Sequence, residues 1–484
     1  MEKIAGIIKA VDGWVWGPVL LVLLAGTGVY LSIRMGFPQF RRFGYAMKNT
    51  IGKMFSKQAA GKGEVTPFQA VTTALAATVG TGNIAGVTGA IVAGGPGAVF
   101  WMWLCALFGM CTKYSEVLLA VKFRERNDKG DWVGGPMYYI KNGLGKNWTW
   151  LSVLFCLFGA LAAFGIGNMT QVNSIASSLN GAINAFGGDA ASKTVLLFGA
   201  AVPMTSLIFG VVVAVIVGLV LFGGIKRIGS VTEKLVPIMA VIYIVFSLVV
   251  IFANVKFIPQ TFAIIFKGAF NADAALGGAF GIMIMTTIQK GVGRGVFSNE
   301  AGMGSAPMAH AATSETEPVK QGLYGIFEVF MDTIVICTMT SLVLLTSYCR
   351  MGDGLAIAWG GDGDATLIQA AMGSVVGGKL GALVVAVGLS LFALSTIISW
   401  SLYGSRCFEF LCGKKLGTKL SVFYKIIFLV LLPVGATLKI GVVWDLADAL
   451  NGMMAFPNLV ALLALSGVII KTTKEYFSDG HKLK

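Results

Sequence analysis

Polar residues interrupt one of the apolar stretches of this sequence. Thr78, Thr81 and Asn83 surround Gly80 and Gly82 in the middle of a run long enough to cross a bilayer. Glycine, threonine and asparagine are weak helix formers, so the helix is expected to unwind here. Unwound backbone is tolerated at this depth only where protein buries it or where it lines a cavity, and free amides at a half-helix terminus suit an anionic group. We therefore interpret this run as a binding segment.

The same glycines permit a second interpretation. Gly82, Gly86 and Gly89 have the kind of spacing with which small residues allow close helix packing in membranes. The run is not a dinucleotide-binding fingerprint, because its last spacing is wrong and no strand precedes it. The polar neighbours of the glycines favour the binding interpretation over packing alone.

The composition places this segment in a membrane protein. Of 484 residues, 56% are hydrophobic and only 12% are charged, whereas soluble domains carry about 25% charged residues. Apolar stretches that can cross the hydrocarbon core recur along the chain, and we predict eleven spans. They lie near residues 15–34, 67–93, 97–121, 149–179, 202–222, 235–253, 275–290, 322–347, 380–405, 420–436 and 442–470.

The basic residues of the predicted loops alternate between the two sides of the membrane. One side holds 28 of the 37 lysines and arginines, the other holds 8, and Lys113 lies in a span. Because cytoplasmic loops retain basic residues, we expect the amino terminus outside and the carboxyl terminus inside, across the cell inner membrane. The net charge of +14 then reflects topology and not a nucleic-acid-binding face.

Several kinds of chemistry are disfavoured by what the sequence lacks. Two histidines, His310 and His481, cannot form a histidine-rich metal site, and the seven cysteines supply no extracellular disulfide framework. No phosphate-binding Gly-x-x-x-x-Gly-Lys-Ser/Thr motif is present. An intramembrane enzyme lacks readable catalytic pairs, and a channel would require repeated filter segments or rings of charge. We therefore expect no enzymatic activity.

Three motifs resemble the alanine or glycine:cation symporter family. Residues 94–109 read GGPGAVFWMWLCALFG, residues 134–140 read GGPMYYI, and residues 295–302 read GVFSNEAG. The resemblance implies an all-α membrane protein with the leucine-transporter fold, in which two five-helix repeats are inverted and ligands bind at broken helices. The implied activity is sodium-coupled symport of a small neutral amino acid such as alanine or glycine by alternating access. Proton coupling is the alternative.

This fold implies a division of the chain and a set of partners. The predicted parts are an extra amino-terminal helix (1–34), a cytoplasmic basic linker (35–65), the first repeat (66–255), the second repeat (275–470) and a cytoplasmic tail (471–484). The implied partners are the amino acid, the co-transported sodium ion and membrane lipid, without nucleic acid or an obligatory protein partner.

By the same resemblance, residues from both repeats bind the substrate. They are Thr78, Thr81, Gly82, Asn83, Gln171, Phe280, Ile284, Thr396 and Trp400. The second helix break is expected near residues 277–284, beside Phe280 and Ile284, which would otherwise be lipid-facing or core residues. Gln171 has an alternative role as an interhelical hydrogen bond.

The implied sodium site combines hydroxyl and carbonyl oxygens, which are the ligands that a hard cation prefers. Ser395 and Thr396 are expected to face the carbonyls of Ala76 and Val79. In the alternative interpretation, the two hydroxyls bond only to their own helix. Trp400 lies one turn from Thr396, so its indole is expected to bound the cavity.

Three carboxylates within predicted spans are functional candidates, because such groups are costly in a membrane. They are Glu116, Glu328 and Asp332, of which the last two share a helix face at i and i+4. They carry protons or gate the cytoplasmic vestibule in one interpretation, and are solvated near loop ends in the other. No arginine is well placed near the midplane of a span, which favours a zwitterionic substrate over a dicarboxylate.

Overall fold

The computed structural model describes residues 2–53, 60–189, 193–197, 200–271, 284–361, 363–438 and 441–478, and most of them are helical. The helices up to residue 185 are α1 Glu2–Val15, α2 Pro18–Met35, α3 Pro38–Arg41, α4 Phe43–Thr50, α5 Pro67–Thr78, α6 Val87–Gly94, α7 Ala98–Lys122, α8 Pro136–Tyr139, α9 Thr149–Phe164 and α10 Thr170–Ala185. Turns of π-helix cover Gly82–Gly86, Ile140–Leu144 and Gly165–Met169.

The later helices continue the bundle. They are α11 Met204–Leu221, α12 Gly224–Ala253, α13 Ile258–Phe270, α14 Ile284–Asn299, α15 Pro307–His310, α16 Pro318–Val329, α17 Thr338–Met351, α18 Ala365–Val376, α19 Gly378–Gly413, α20 Leu416–Thr437, α21 Gly441–Ala464 and α22 Ser466–Ser478. A π-helix, Phe330–Cys337, joins α16 to α17. Two antiparallel pairs complete the described elements, β1 Glu125–Arg126 with β2 Trp132–Val133 and β3 Thr194–Leu197 with β4 Ala200–Pro203.

Among the described residues, nine helices are long and apolar enough to cross a membrane, or ten when α5 and the Gly82–Gly94 helix, bent by 50°, count as one span. The sequence predicted eleven. The predicted span 275–290 falls largely outside the described residues, and α14 continues past its expected end to Asn299. Lys290 and Arg294, which the sequence analysis counted with the basic residues of the following loop, both lie within α14.

Helix α7 occupies the centre of the bundle. Its residues 109–121 are all buried, and it packs against α14 and α16. Helices α19 and α20 pack against α9, α10 and α11. Residues 109–121 of α7 and residues 395–405 of α19 are buried on every face, so both stretches can carry functional side chains in any direction.

Helix α5 begins at a well-formed cap. Thr66 Oγ1 accepts a hydrogen bond from the Gln69 amide at 3.1 Å, and Gln69 Oε1 accepts one from the Thr66 amide at 3.2 Å. Pro67 occupies the first turn, where its missing N–H costs nothing. From this start the helix runs to Thr78, which is buried inside the bundle.

A second interruption separates α14 from α15. The backbone of residues 300–306 is non-helical, and Glu300, Gly302 and Gly304 have φ angles of 54°, 92° and 82°. These residues are all buried. A non-glycine residue at positive φ is uncommon and marks a constrained segment.

The segments that flank the two interruptions meet at one end of the bundle. Val65, ahead of α5, pairs with Thr313, after α15, in an isolated parallel bridge. Arg124 donates hydrogen bonds to the carbonyls of Ala311, Thr313 and Glu315 at 3.1, 2.6 and 2.9 Å. The segment ahead of α5 is thereby paired with the segment after α15.

Candidate functional site

The first interruption lies where the sequence predicted it. Val79 leaves the helical conformation with φ −80° and ψ 87°, and the chain resumes in the π-helical turn ahead of α6. The Gly80 amide donates to Asn83 Oδ1 at 2.8 Å, and the Thr81 amide donates to Gln171 Oε1 at 3.5 Å. The amides freed by the break therefore face neutral side-chain oxygens inside the protein.

Gly80 is the point where three elements converge. A Cβ atom there would overlap the Thr396 hydroxyl of α19 and lie 3.6 Å from Gln171 Oε1 of α10. At Gly82 a Cβ would make ordinary contacts, the nearest at 3.5 Å from the Phe297 ring. Neither glycine has a positive φ. Close approach of polar groups, and not helix packing alone, thus explains why glycine is needed at position 80.

The two threonines of the segment differ in their hydrogen bonding. Thr78 Oγ1 lies 3.4 Å from the carbonyls of Ala74 and Leu75 in its own helix. Thr81 Oγ1 is buried and has no hydrogen-bond partner among the described residues. A buried hydroxyl without a partner is costly, so Thr81 is the better candidate for a group that binds a ligand.

The hydroxyls of α19 face the end of α5. Ser395 Oγ lies 3.2 Å from the Ala76 carbonyl, and Thr396 Oγ1 lies 3.4 Å from the Ala77 carbonyl. Both hydroxyls also bond to the Phe392 carbonyl of their own helix, at 2.8 and 3.0 Å. Each hydroxyl thus bonds both to its own helix and to the end of α5, and Ala77 is a partner that sequence reasoning missed. The sodium site itself stays a prediction.

The predicted role of Val79 stays a prediction. Within the described residues, neither Ser395 nor Thr396 donates a hydrogen bond to its carbonyl. The ψ of 87° directs this carbonyl away from the regular helical ladder.

A buried carboxylate links the first interruption to α14. Asp332 accepts hydrogen bonds from Asn83 Nδ2 at 2.6 Å, from Ser298 Oγ at 2.9 Å and from Thr333 Oγ1 at 2.8 Å. No lysine, arginine or histidine of the described residues forms an ion pair with Asp332. Its three neutral donors stabilise a charge that can also attract a cation.

Side chains from other helices hold the backbone of the second interruption. Glu116 Oε1 accepts from the Gly304 amide at 3.1 Å and from Asn458 Nδ2. Asn458 Nδ2 also donates to the Gly302 carbonyl at 2.9 Å, and Tyr139 donates to Asn458 Oδ1. The non-helical amide and carbonyl are thus satisfied by α7 and α21.

Trp400 contacts the same segment. Its indole Nε1 donates to Glu300 Oε1 at 3.0 Å, and Ser305 Oγ donates to Glu300 Oε2. Trp400 is only 2% exposed. A lipid-facing or interfacial position for this tryptophan is therefore excluded, and the indole lies inside the bundle.

Glu116, Glu328 and Asp332 are fully buried, so the interpretation that they are solvated near loop ends is wrong. Glu328 pairs with Lys113 Nζ at 3.3 Å and with His310 Nε2 at 3.0 Å. Asp332 belongs to the Asn83 cluster instead. The intervening switch to π-helix at Phe330 changes the rotation per residue, so the expected shared face does not lead to shared partners.

Two predicted substrate residues are not brought into this site by the described residues. Phe280 lies outside them, and Ile284 begins α14 with 44% of its surface exposed. Sequence reasoning missed Phe297, Ser298 and Glu300, which adjoin the two interruptions. The signal was present in the motif at residues 295–302, where a carboxylate stands between polar residues and a glycine.

Known proteins are similar to this chain over nearly its whole length. The model of the sodium:alanine symporter family matches residues 1–484. An uncharacterized transporter of Haemophilus influenzae is 46% identical over 98% of this chain and 96% of its own. The sodium/alanine symporter AgcS of Methanococcus maripaludis is 45% identical over 97% of this chain and 96% of its own.

A solved structure shares the fold. The crystal structure of MhsT in complex with L-phenylalanine is 14% identical in sequence, covers 86% of this chain and 99% of its own, and superposes with a TM-score of 0.57. The helical bundle with its interrupted helices is thus the leucine-transporter fold that the sequence resemblance implied.

Proposed function

Because the chain belongs to the sodium:alanine symporter family, we propose that this secondary transporter carries a small neutral amino acid such as alanine or glycine into the cell together with sodium. Amino-acid symport in a multi-pass membrane protein follows from the family. The choice of substrate and of coupling ion is argued from the site.

The observation that carries the proposal is the pairing of the amides at the first interruption. The Gly80 and Thr81 amides bond to the neutral oxygens of Asn83 and Gln171, the second of them at the long distance of 3.5 Å. A carboxylate is a stronger acceptor than a neutral amide oxygen, so it gains when it replaces one of them. The partial positive charge at a half-helix terminus adds to this preference.

A zwitterion suits the charges around the segment. Among its hydrogen-bonding partners in the described part of the chain, the ionisable one is Asp332, which contacts Asn83. The segment thus offers amide donors to a carboxylate and a nearby negative charge to a cation. A second carboxylate on the substrate would have to compete with existing ion pairs, because Lys113 pairs with Glu328 and Arg294 pairs with Asp448.

Sodium is proposed for the space between α5 and α19. The Ser395 hydroxyl lies 3.2 Å from the Ala76 carbonyl, and the Thr396 hydroxyl lies 3.4 Å from the Ala77 carbonyl, so four neutral oxygens face each other in two pairs. A small hard cation is held by such oxygens without thiol or imidazole ligands. Binding there would hold the end of α5 against α19, next to Gly80.

Proton coupling is the second candidate, and Asp332 is the observation that favours it. A buried carboxylate is costly as an ion unless a partner or a proton neutralises it. Its contact with Asn83 would make the shape of the first interruption depend on its charge.

The deciding experiment is uptake of labelled alanine and glycine into proteoliposomes with sodium and proton gradients imposed separately. We expect a sodium gradient to drive accumulation without a proton gradient. Full uptake on a proton gradient alone, in sodium-free medium, would contradict sodium coupling and favour Asp332. Exchange of labelled for unlabelled alanine at equal concentrations should persist without any gradient, and its absence would contradict a carrier for this substrate.

The proposed arrangement in the membrane places the amino terminus outside and the carboxyl terminus in the cytoplasm of the cell, with residues 66–255 and 275–470 as inverted repeats. The excess of basic residues in one set of loops supports this orientation. Labelling of single cysteines placed in the β1–β2 turn by an impermeant reagent tests it. The proposed orientation places this turn in the cytoplasm, so labelling in intact cells would contradict it.

A further inference from the structure

We propose that Glu300 is a positioning residue that fixes the Trp400 indole and thereby sets which amino-acid side chains the pocket admits. The inference rests on the proposed function and on the sequence-based prediction that Trp400 bounds the substrate cavity. It extends the determinants of specificity from α19 to the second interruption, in a residue that contacts the indole and not the substrate.

The first step is the hydrogen bond itself. The Trp400 indole has one polar atom, Nε1, and Glu300 Oε1 accepts its hydrogen at 3.0 Å. Trp400 is 2% exposed and Glu300 is 4% exposed, so water does not compete for this contact. A buried N–H without an acceptor is costly, and the ring orientation that keeps the bond is therefore strongly preferred over others.

The second step concerns what holds the carboxylate. Ser305 donates to Glu300 Oε2, so each of the two carboxylate oxygens accepts a hydrogen bond from a different side chain. The Glu300 carboxylate is thus held by Ser305 independently of its hydrogen bond to the indole.

The third step is the backbone at position 300. Glu300 has a φ of 54°, in the left-handed region, while the glycines at 302 and 304 adopt the other positive angles of the segment. Glycine at position 300 would adopt this conformation without steric cost. The presence of glutamate in a strained conformation indicates that its side chain is needed.

The fourth step is the opposite side of the indole. A Cβ atom at Gly167 would overlap the Cβ and Cγ atoms of Trp400, so the residue is pressed against the π-helical turn ahead of α10. Tyr403 approaches its edge, with ring centroids 5.6 Å apart. The indole is confined on these sides by packing, and Glu300 supplies the directional contact that selects its rotation.

The consequence is that the size of the side chain that the pocket accepts depends on the hydrogen bond between Glu300 and Trp400. Through that bond it also depends on the conformation of the second interruption. An indole held by Glu300 leaves room for a small side chain, whereas a released indole can turn and admit a larger one. Each methylene of the competitor is discriminated by about tenfold or more in an apolar pocket, so a change of ring position is measurable in the order of competitors.

The test uses two matched variants of the full-length transporter in proteoliposomes. Glu300→Gln keeps an acceptor oxygen for the indole and presents an amide N–H to Ser305, whose hydroxyl can then accept instead of donate. Glu300→Met keeps a similar length without an acceptor. Competition by glycine, alanine, valine and leucine against labelled alanine is measured for each. We expect Glu300→Met to raise the affinity for leucine relative to alanine by about tenfold, and Glu300→Gln to retain the wild-type order.

Trp400→Phe supplies a second measurement, because it keeps an aromatic ring but removes the N–H. It should match Glu300→Met, and the double variant should add nothing further. Additive effects would overturn the proposal, as would an unchanged order in Glu300→Met or a Glu300→Gln profile equal to that of Glu300→Met.

Failure of the proposed function gives a different result. If Trp400→Ala leaves the order of competitors unchanged in a protein that still transports alanine, then Trp400 does not bound the pocket. If Trp400→Ala changes the order and Glu300→Met does not, the pocket stands and the role of Glu300 is wrong.

Discussion

The two interrupted helices of this transporter are stabilised in different ways. At the first interruption, amides bond to the neutral side chains of Asn83 and Gln171, and the Thr81 hydroxyl has no partner in the described part of the chain. At the second, the Glu116 carboxylate of α7 accepts a hydrogen bond from the backbone, and the Glu300 carboxylate accepts one from the Trp400 indole of α19. Both are buried, but only the first has weakly held donors.

This difference separates a binding role from an anchoring role. A ligand carboxylate can replace a neutral acceptor at 3.5 Å with a net gain, because charged acceptors form stronger hydrogen bonds. Replacement of a buried carboxylate that already accepts two hydrogen bonds leaves donors unsatisfied. We infer that the hydrogen-bond partners of the first interruption are replaced by the substrate during transport, while the second interruption keeps its contacts to α7, α19 and α21.

The largest expected effect belongs to Gly80. Gly80→Ala should lower the affinity for alanine by about 100-fold or more, because the added methyl group would displace Thr396 from the binding segment. The measurement is alanine binding to purified protein, with thermal unfolding as a check on folding.

Gly82→Ala is the matched comparison. Its added methyl group would meet the Phe297 ring at an ordinary distance of 3.5 Å, so its effect should be clearly smaller. Equal losses in the two variants would show that flexibility of the segment, and not the approach of Thr396, makes glycine necessary.

The second interruption should respond to loss of an anchor mainly in stability. Glu116→Ala leaves the Gly304 amide and Asn458 without their shared acceptor and should cost about 1 to 3 kcal/mol of folding free energy. Glu116→Gln keeps an acceptor oxygen and should be less destabilised. Denaturation in detergent measures both. If Glu116→Gln is stable but abolishes proton-dependent uptake only, Glu116 carries a proton and is not merely an anchor.

The sequence predicted the first interruption because glycines and polar residues stand in an otherwise apolar span. It gave no sign of the non-helical segment at residues 300–306, since Glu300 follows a stretch with Lys290 and Arg294 that was taken for a loop. The second helix break that it predicts near residues 277–284 lies outside the described residues, except for Ile284. Lys290 and Arg294 lie within α14, where Arg294 pairs with Asp448 and stacks on Phe297. A pairing between distant helices cannot be recognised from the local hydropathy of either.

The partners of individual side chains show the same limit. Spacing placed Thr396 and Trp400 on one face of a helix, and both point into the core. It did not reveal that the indole would bond to Glu300, because that contact depends on how α19 packs against the second interruption.

Sodium dependence should change at α19. Thr396→Ala removes a hydroxyl that lies 3.4 Å from the Ala77 carbonyl and should raise the sodium concentration for half-maximal uptake by about tenfold. Saturating sodium should restore much of the alanine binding. Ser401→Ala is the control, since the Ser401 hydroxyl bonds to the Ile398 carbonyl within its own helix. An unchanged sodium requirement in Thr396→Ala would remove this residue from the ion site.

The smallest expected effect is at Gln171, and it tests the claim that the first interruption exchanges its partners. Gln171 Nε2 donates to the Ile166 carbonyl at 2.9 Å, which leaves Oε1 directed at the Thr81 amide. Because a neutral hydrogen bond is worth about 1 kcal/mol, Gln171→Ala should weaken alanine binding by about fivefold if the side chain also contacts the substrate.

The sodium requirement should stay the same in Gln171→Ala, since Gln171 is not one of the proposed ion ligands and bonds instead to the Thr81 amide and the Ile166 carbonyl. Ser174→Ala provides the control on the same helix, because the Ser174 hydroxyl bonds to the Thr170 carbonyl. A tighter binding of alanine in Gln171→Ala would mean that Gln171 only competes with the substrate for the Thr81 amide. The substrate carboxylate would then still replace the Gln171 oxygen at the Thr81 amide, but Gln171 would not contact the bound substrate.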